Sequence, residues 1–156
     1  LRDSRDVMEV VGLPAGGEEA LIDMLGGVWE DLGTAFQILD DVQNLTSGIP
    51  GKDRGDDIVE GKKSLPVILH VQERPTEASV LADLFSEAAR KAPEGDWSAV
   101  EEAISLLDQS GSIAQAREQG RALLENGRLR LLSLLPESES RDLLVGMVDG
   151  FRARMI

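Results

Sequence analysis

Apolar residues recur along most of the chain at steps of three and four positions, the spacing that is typical of amphipathic helices. The longest stripe begins at Glu18 and continues to about Leu45. Its apolar positions are Leu21, Met24, Leu25, Val28, Trp29, Leu32, Ala35, Phe36, Leu39 and Val42. Three glycines within it indicate close helix contacts or a bend: Gly26, Gly27 and Gly33. A Gly-Ile-Pro-Gly breaker follows at residues 48–51, so we expect the helix to end near Thr46 or Ser47.

Residues 48–61 predict a glycine-rich, highly charged loop, after which further helices follow. Ser64 as the N-cap and Pro66 in the first turn open the next helix, which we expect to continue to about Glu73. Later apolar stripes predict helices over residues 76–91, 98–109, 112–135 and from 138 or 140 through 151. Because only 3% of the residues are aromatic, we expect an all-α bundle of about six helices that forms one unit over residues 1–156.

Composition and charge exclude several classes of function. The 156 residues include 29 acidic and 16 basic side chains, a net charge of −13, which is the wrong sign for a nucleic-acid surface. There is no cysteine and only one histidine, His70, so disulfides, thiolate metal sites and imidazole clusters are excluded. No apolar run approaches the ~20 residues that span a bilayer. We therefore expect a cytoplasmic protein without a membrane span.

Oxygen-bearing side chains gather at the C-terminal end of the long helix. Gln37 and Asp41 are four residues apart, as are Asp40 and Asn44, so all four can lie along one side. The negative pole of the helix dipole lies at this end and disfavours two adjacent carboxylates. A divalent cation would remove that penalty. Oxygen ligands match a hard ion such as Mg²⁺, which commonly takes one or two carboxylates together with water and substrate phosphate.

The loop that follows supplies positive charge. Four of the 16 basic residues lie between Lys52 and Lys63, among glycines that let the backbone approach a ligand closely. Carboxylates for Mg²⁺ beside lysines for phosphate predict a diphosphate site. The residue types alone leave an alternative open, in which Asp40 and Asp41 form a solvated helix end and the loop is an ordinary charged connection.

An ordered set of motifs in this region resembles the second aspartate-rich region of the trans-isoprenyl diphosphate synthases, which include farnesyl, geranylgeranyl and longer polyprenyl synthases. The motifs are Phe36-Gln37, Asp40-Asp41, Gly51-Lys52, Gly55 with Asp57, Gly61-Lys62 and Pro66. Later motifs resemble the closing helices of that family: Gly111-Ser112-Ile113, Ala116-Arg117 and Leu134-Leu135-Pro136. Asn44 lies where many members have aspartate, which resembles the geranylgeranyl-type variant of the motif.

The resemblance implies the C-terminal half of an isoprenoid synthase-type α-helical fold. It also implies a Mg²⁺-dependent prenyltransferase that ionises an allylic diphosphate and condenses it with isopentenyl diphosphate. Carried over by position, the implied Mg²⁺ ligands are Asp40, Asp41 and Asn44. The implied catalytic residues are Lys52, Lys62 and Gln37, and the implied substrate contacts are these three with Asp57 and Phe36. Phe36 would contribute to the apolar wall that protects the carbocation.

The chain lacks part of the family's pattern. The first aspartate-rich motif, DDxxD, and a lysine-threonine pair lie N-terminal to this region in the family, and nothing before Asp40 supplies them. We therefore expect the C-terminal half of a synthase, inactive without a complementary N-terminal half or subunit and assembled as a dimer or larger. The alternative is a non-catalytic helical regulatory subunit of such a synthase. Terpene cyclases share the fold but lack the two Gly-Lys motifs.

Overall fold

The computed structural model describes residues 18–48 and 51–155, and within these ranges it contains helices and no strand. The α-helices in chain order are α1 (Glu18–Thr46), α2 (Asp56–Val59), α3 (Leu65–Glu73), α4 (Ala78–Lys91), α5 (Ser98–Gln109), α6 (Ser112–Leu134) and α7 (Glu139–Met155). Two single 3₁₀ turns lie at Pro75–Glu77 and Ala92–Glu94. The all-α prediction is confirmed. None of the described helices is both long enough and apolar enough to cross a membrane.

One helix was not predicted. The sequence pattern indicated a loop over residues 48–61, whereas Asp56–Val59 forms the single helical turn α2 within it. A helix of four residues is too short to show an apolar period. Its first turn carries Asp56 and Asp57, which suit the positive pole of a helix.

The chain divides into two compact units, one comprising Leu1–Phe36 with Arg121–Ile156 and the other Gln37–Gly120. A single unit over residues 1–156 stays a prediction. In the first unit, apolar side chains of α1, α6 and α7 are buried, among them Val28, Leu131 and Val148. Ion pairs join the same helices at their surface, Asp31 with Arg130 and Arg128 with Asp149.

The Gln37–Gly120 unit has its core between the end of α1, the short α2, and helices α4 and α5. Its buried apolar residues are Val42, Leu45, Ile58, Leu81, Leu84, Ala88, Ala99, Val100, Ala103, Ile104, Leu107, Ile113 and Ala116. Removing these side chains from water stabilises the unit. The core therefore includes residues of the segments that carry the aspartates and the charged loop, Val42 and Leu45 of α1 and Ile58 of α2.

The glycines that allow the closest helix contacts lie on α6 and were not predicted from the sequence. A Cβ placed on Gly27 would lie 3.4 Å from Nη2 of Arg130, an ordinary contact, and no described neighbour lies within 4 Å of one placed on Gly26 or Gly33. On α6, by contrast, a Cβ at Gly120 would lie 2.9 Å from Leu39, and one at Gly127 would lie 2.6 Å from Leu32. Helix α6 therefore approaches α1 closely at Gly120 and Gly127, because neither glycine has a side chain there.

Candidate functional site

The last turns of α1 carry the four predicted oxygen-bearing side chains, but their surroundings differ. Gln37 is exposed and Asp40 is half-buried. Asp41 is only 8% exposed and Asn44 is fully buried. Asp41 and Asn44 are buried because the chain after α1 folds back over them.

Backbone hydrogen bonds fasten the loop to the end of α1. The N–H of Gly55 donates to the carbonyl oxygen of Asn44 at 3.0 Å, and the N–H of Asp57 donates to the side-chain Oδ1 of Asn44 at 3.4 Å. Gly55 has φ of 83°, and a Cβ there would lie 2.4 Å from Val100 Cγ1 of α5. Only glycine fits this position, because both the backbone angle and the close approach exclude a side chain.

At the next turn the chain brings Lys62 back toward α1. The N–H of Lys62 donates to the carbonyl oxygen of Asp57 at 2.9 Å. Its ammonium Nζ donates to Asp41 Oδ1 at 2.5 Å and to Asp57 Oδ2 at 3.2 Å. We call Asp41, Asp57 and Lys62 the site cluster. One lysine thus joins two carboxylates, one from α1 and one from α2.

The carboxylates and the lysine of the site cluster differ in solvent exposure. The side chains of Asp41 and Asp57 are 11% and 8% exposed, while that of Lys62 is 45% exposed. Burial raises the pKa of Asp41 above its usual value, although the hydrogen bond from Lys62 opposes this. The hydrogen bond to Asp41 raises the pKa of Lys62. The ammonium therefore stays protonated and compensates partly for carboxylates that have lost water.

Asn44 fastens the loop. Its Oδ1 accepts the N–H of Asp57, and its Nδ2 is buried without a hydrogen-bond partner among the described residues. The amide oxygen that a metal ion would use is thus directed at the loop backbone. The role of Asn44 as a Mg²⁺ ligand stays a prediction.

The other predicted site residues lie outside the site cluster. Lys52 is exposed and makes no ion pair or hydrogen bond with the described part of the chain. Phe36 belongs to the other compact unit, where its ring packs edge-to-face against Phe151 with 5.5 Å between ring centroids. The structure thus brings together Asp41, Asp57, Lys62 and Asn44.

Arg54 holds the loop in place in a way that the sequence pattern did not indicate. Its Nε donates to the carbonyl oxygen of Leu45 at 3.1 Å, near the C-terminal end of α1. Its Nη1 donates to both carboxylate oxygens of Glu101 on α5, at 2.6 and 2.8 Å. Glu101 lies 47 residues further along the chain, so no local pattern could have paired the two.

The donor atoms fit a partial site for a hard cation. Among residues 18–48 and 51–155, no group of three or more His, Cys, Asp or Glu side chains is arranged to hold a metal ion. However, two buried carboxylates, Asp41 and Asp57, direct oxygens at the single positive charge of Lys62. Carboxylate oxygens such as those of Asp41 are of the type that Mg²⁺ takes together with water and substrate phosphate.

Comparison with known proteins identifies relatives of the chain. Residues 7–104 match the family model described as polyprenyl synthetase. The chain is 35% identical over 137 residues to a geranylfarnesyl diphosphate synthase of Natronomonas pharaonis, covering 86% of this chain and 37% of that protein. It is 30% identical over 141 residues to an octaprenyl diphosphate synthase of Haemophilus influenzae, covering 89% and 41% respectively. The chain thus spans about two fifths of the length of these relatives.

Proposed function

Because the chain belongs to the polyprenyl synthetase family, we propose that it supplies the second aspartate-rich part of a prenyltransferase. This enzyme condenses an allylic diphosphate with isopentenyl diphosphate to make a longer isoprenyl diphosphate. The observation that carries the proposal is the site cluster, in which buried Asp41 and Asp57 face one lysine inside the matched segment. The two relatives, a geranylfarnesyl and an octaprenyl diphosphate synthase by name, support the same activity.

In this proposal the carboxylates hold the cation and the lysines hold the diphosphate. Asp40 and Asp41 are the Mg²⁺ ligands of this chain, with Asp57 ordering the loop beside them and Asn44 fastening it. When bound, Mg²⁺ supplies positive charge that stabilises the departing diphosphate. Lys52, exposed on the loop, and Lys62 add further positive charge to the same group. Gln37 and Phe36 contribute to the substrate side of the site.

The remaining machinery comes from a complementary half. Since the chain spans 37% of one relative and 41% of another, we propose that an N-terminal half or subunit with the first DDxxD motif completes the enzyme. The complete enzyme is a dimer or a larger assembly.

The test is reconstitution from two polypeptides. Incorporation of labelled isopentenyl diphosphate into extended product is measured with this chain, with the DDxxD polypeptide, and with both. We expect product only from the mixture and its loss when Asp41→Asn replaces the native chain. The matched control is Glu87→Gln on α4, where the glutamate side chain is 41% exposed, and it keeps full turnover. Full turnover with Asp41→Asn would overturn the proposal.

One observation favours a second candidate, a helical regulatory subunit of such a synthase. Lys62 is already paired with two carboxylates of the same chain, as in a purely structural ion cluster. This candidate predicts that the assembled complex binds inorganic pyrophosphate equally well with native Lys52 and Lys62 and with both changed to methionine. Calorimetry in the presence of Mg²⁺ separates the two candidates.

A further inference from the structure

Lys62 contacts the two buried carboxylates of the site cluster from their solvent-exposed side. Its backbone is held by the hydrogen bond from its N–H to the carbonyl oxygen of Asp57. Its side chain, in contrast, is 45% exposed, and a lysine side chain is a flexible four-carbon stem. The ammonium can therefore move away from Asp41 into solvent without a change in the backbone that holds Asp57.

Binding of a cation by Asp41 and binding of a diphosphate by Lys62 each need a charge that is paired with the other residue here. Asp41 Oδ1 lies 2.5 Å from the ammonium of Lys62, so a divalent cation on that oxygen would meet a like charge at close range. A lysine neutralised by Asp41 and Asp57 is also poorly able to bind an anion. In the position that it occupies here, Lys62 therefore disfavours a cation on Asp41 and is not available to a diphosphate.

We propose that Lys62 is a positioning residue with two successive partners. Without a divalent cation, it holds Asp41 and Asp57 together. It leaves Asp41 when a divalent cation binds there, and it is then available to the diphosphate. This inference rests on the proposed function and adds an order to it: the cation binds first, and the lysine then contacts the diphosphate.

The same unit contains an internal control. Lys91 on α4 lies between Glu87, within ion-pair distance, and Asp96, whose Oδ2 is 3.7 Å from Lys91 Nζ. The side chains of Glu87 and Asp96 are 41% and 49% exposed, and neither residue belongs to the predicted site. A divalent cation should therefore release Lys62 and leave Lys91 unchanged.

The first experiment measures the reactivity of each lysine in the full chain. The chain is treated briefly with acetic anhydride in EDTA, in Mg²⁺, and in Mg²⁺ with inorganic pyrophosphate, and each acetylated lysine is quantified by mass spectrometry. We expect Mg²⁺ to raise acetylation of Lys62 severalfold and pyrophosphate to lower it again, with Lys91 constant. Acetylation of Lys62 that stays constant or falls on addition of Mg²⁺ would overturn the inference.

The second experiment measures cation affinity by calorimetry with Mg²⁺ alone. Lys62→Met removes the competing ammonium, so we expect a dissociation constant about tenfold lower than that of the native chain. Lys91→Met leaves it unchanged. Because Lys62→Met leaves two buried carboxylates unpaired, Lys62→Gln is measured beside it, with circular dichroism to check the fold of each variant. Equal or weaker binding by both Lys62 variants would contradict the inference.

Asp41→Asn separates failure of the inference from failure of the proposed function. If Asp41→Asn binds Mg²⁺ as tightly as the native chain, the cation is not at this site and both fail. If Asp41→Asn abolishes binding while the Lys62 variants bind no more tightly, the proposed cation site stands and only the succession of partners is overturned.

Discussion

Two lysines of the Gln37–Gly120 unit each lie between two acidic side chains, in different surroundings. Lys62 joins Asp41 and Asp57, whose side chains are 11% and 8% exposed. Lys91 joins Glu87 and Asp96 on the surface of the unit, where the acidic side chains are 41% and 49% exposed. Each cluster pairs one ammonium with two carboxylates. Differences between the clusters in pKa and stability therefore reflect how deeply the carboxylates are buried.

The acids of the two clusters respond in opposite directions. The hydrogen bond from Lys91 lowers the pKa of Glu87. Burial raises the pKa of Asp41 although Lys62 donates to it. A surface ion pair thus stabilises the ionised acid, whereas at the site the loss of hydration outweighs the lysine. A buried carboxylate whose pKa is raised by lost hydration is typical of a binding or catalytic position.

The largest expected difference between the clusters is in turnover. In the reconstituted enzyme, Asp41→Asn should lower turnover about hundredfold, because a ligand to the cation that stabilises the departing diphosphate is lost. Glu87→Gln should leave turnover unchanged. Similar turnover for both variants, measured with labelled isopentenyl diphosphate, would remove the functional distinction between the clusters.

The next effect concerns the loop that buries the site cluster. Gly55→Ala should lower the free energy of unfolding by about 3 kcal/mol, because its Cβ would meet Val100 and its φ is positive. Gly51→Ala is the matched control: φ is 87°, but no described atom lies within 4 Å of its Cβ. It should cost about 1 kcal/mol. Urea denaturation measures both, and equal losses would show that the contact with Val100 is unimportant.

Replacing each lysine in turn tests whether burial of the carboxylates makes their counter-charge important for stability. Lys62→Met should lower the free energy of unfolding in EDTA by about 2 kcal/mol, because two buried carboxylates lose their counter-charge. Lys91→Met should lower it by much less, since its carboxylates remain hydrated. Thermal and urea denaturation in EDTA measure the pair. A loss for Lys91→Met as large as for Lys62→Met would show that exposure does not separate the clusters.

The smallest effect is in the pH dependence of stability, where the clusters differ in sign. Glu87 has a lowered pKa, so its contribution is present above its unfolded value of 4.5 and is lost as the pH falls through the folded value. Asp41 has a raised pKa, so its contribution is present below its unfolded value of 3.8 and is lost as the pH rises through the folded value.

Urea denaturation in EDTA between neutral and acidic pH measures both contributions. As the pH falls, Glu87→Gln should lose less stability than the native chain and Asp41→Asn should lose more. The same direction of change in both variants would contradict the opposite pKa shifts.

Much of the fold and of the candidate site could be predicted from local sequence. The spacing of apolar residues predicted α1 from Glu18, and the Gly-Ile-Pro-Gly breaker predicted its end near Thr46 or Ser47; both bounds agree with the structure. The same reasoning placed the two aspartates at the end of that helix and the lysines on the following loop. It missed α2, because one helical turn has no period, and it gave Arg54 no partner, because Glu101 is 47 residues distant.

The sequence by itself determined the longer helices, the family and the segment that contains the charged residues, because periodicity and motif spacing depend only on neighbours along the chain. Only the tertiary structure decided which charges meet. It directed the amide oxygen of Asn44 to the loop and brought Lys62 to Asp41, 21 residues apart. Burial, and with it the direction of the pKa shift of Asp41, depends on what packs over a side chain, and that is set by contacts between distant residues.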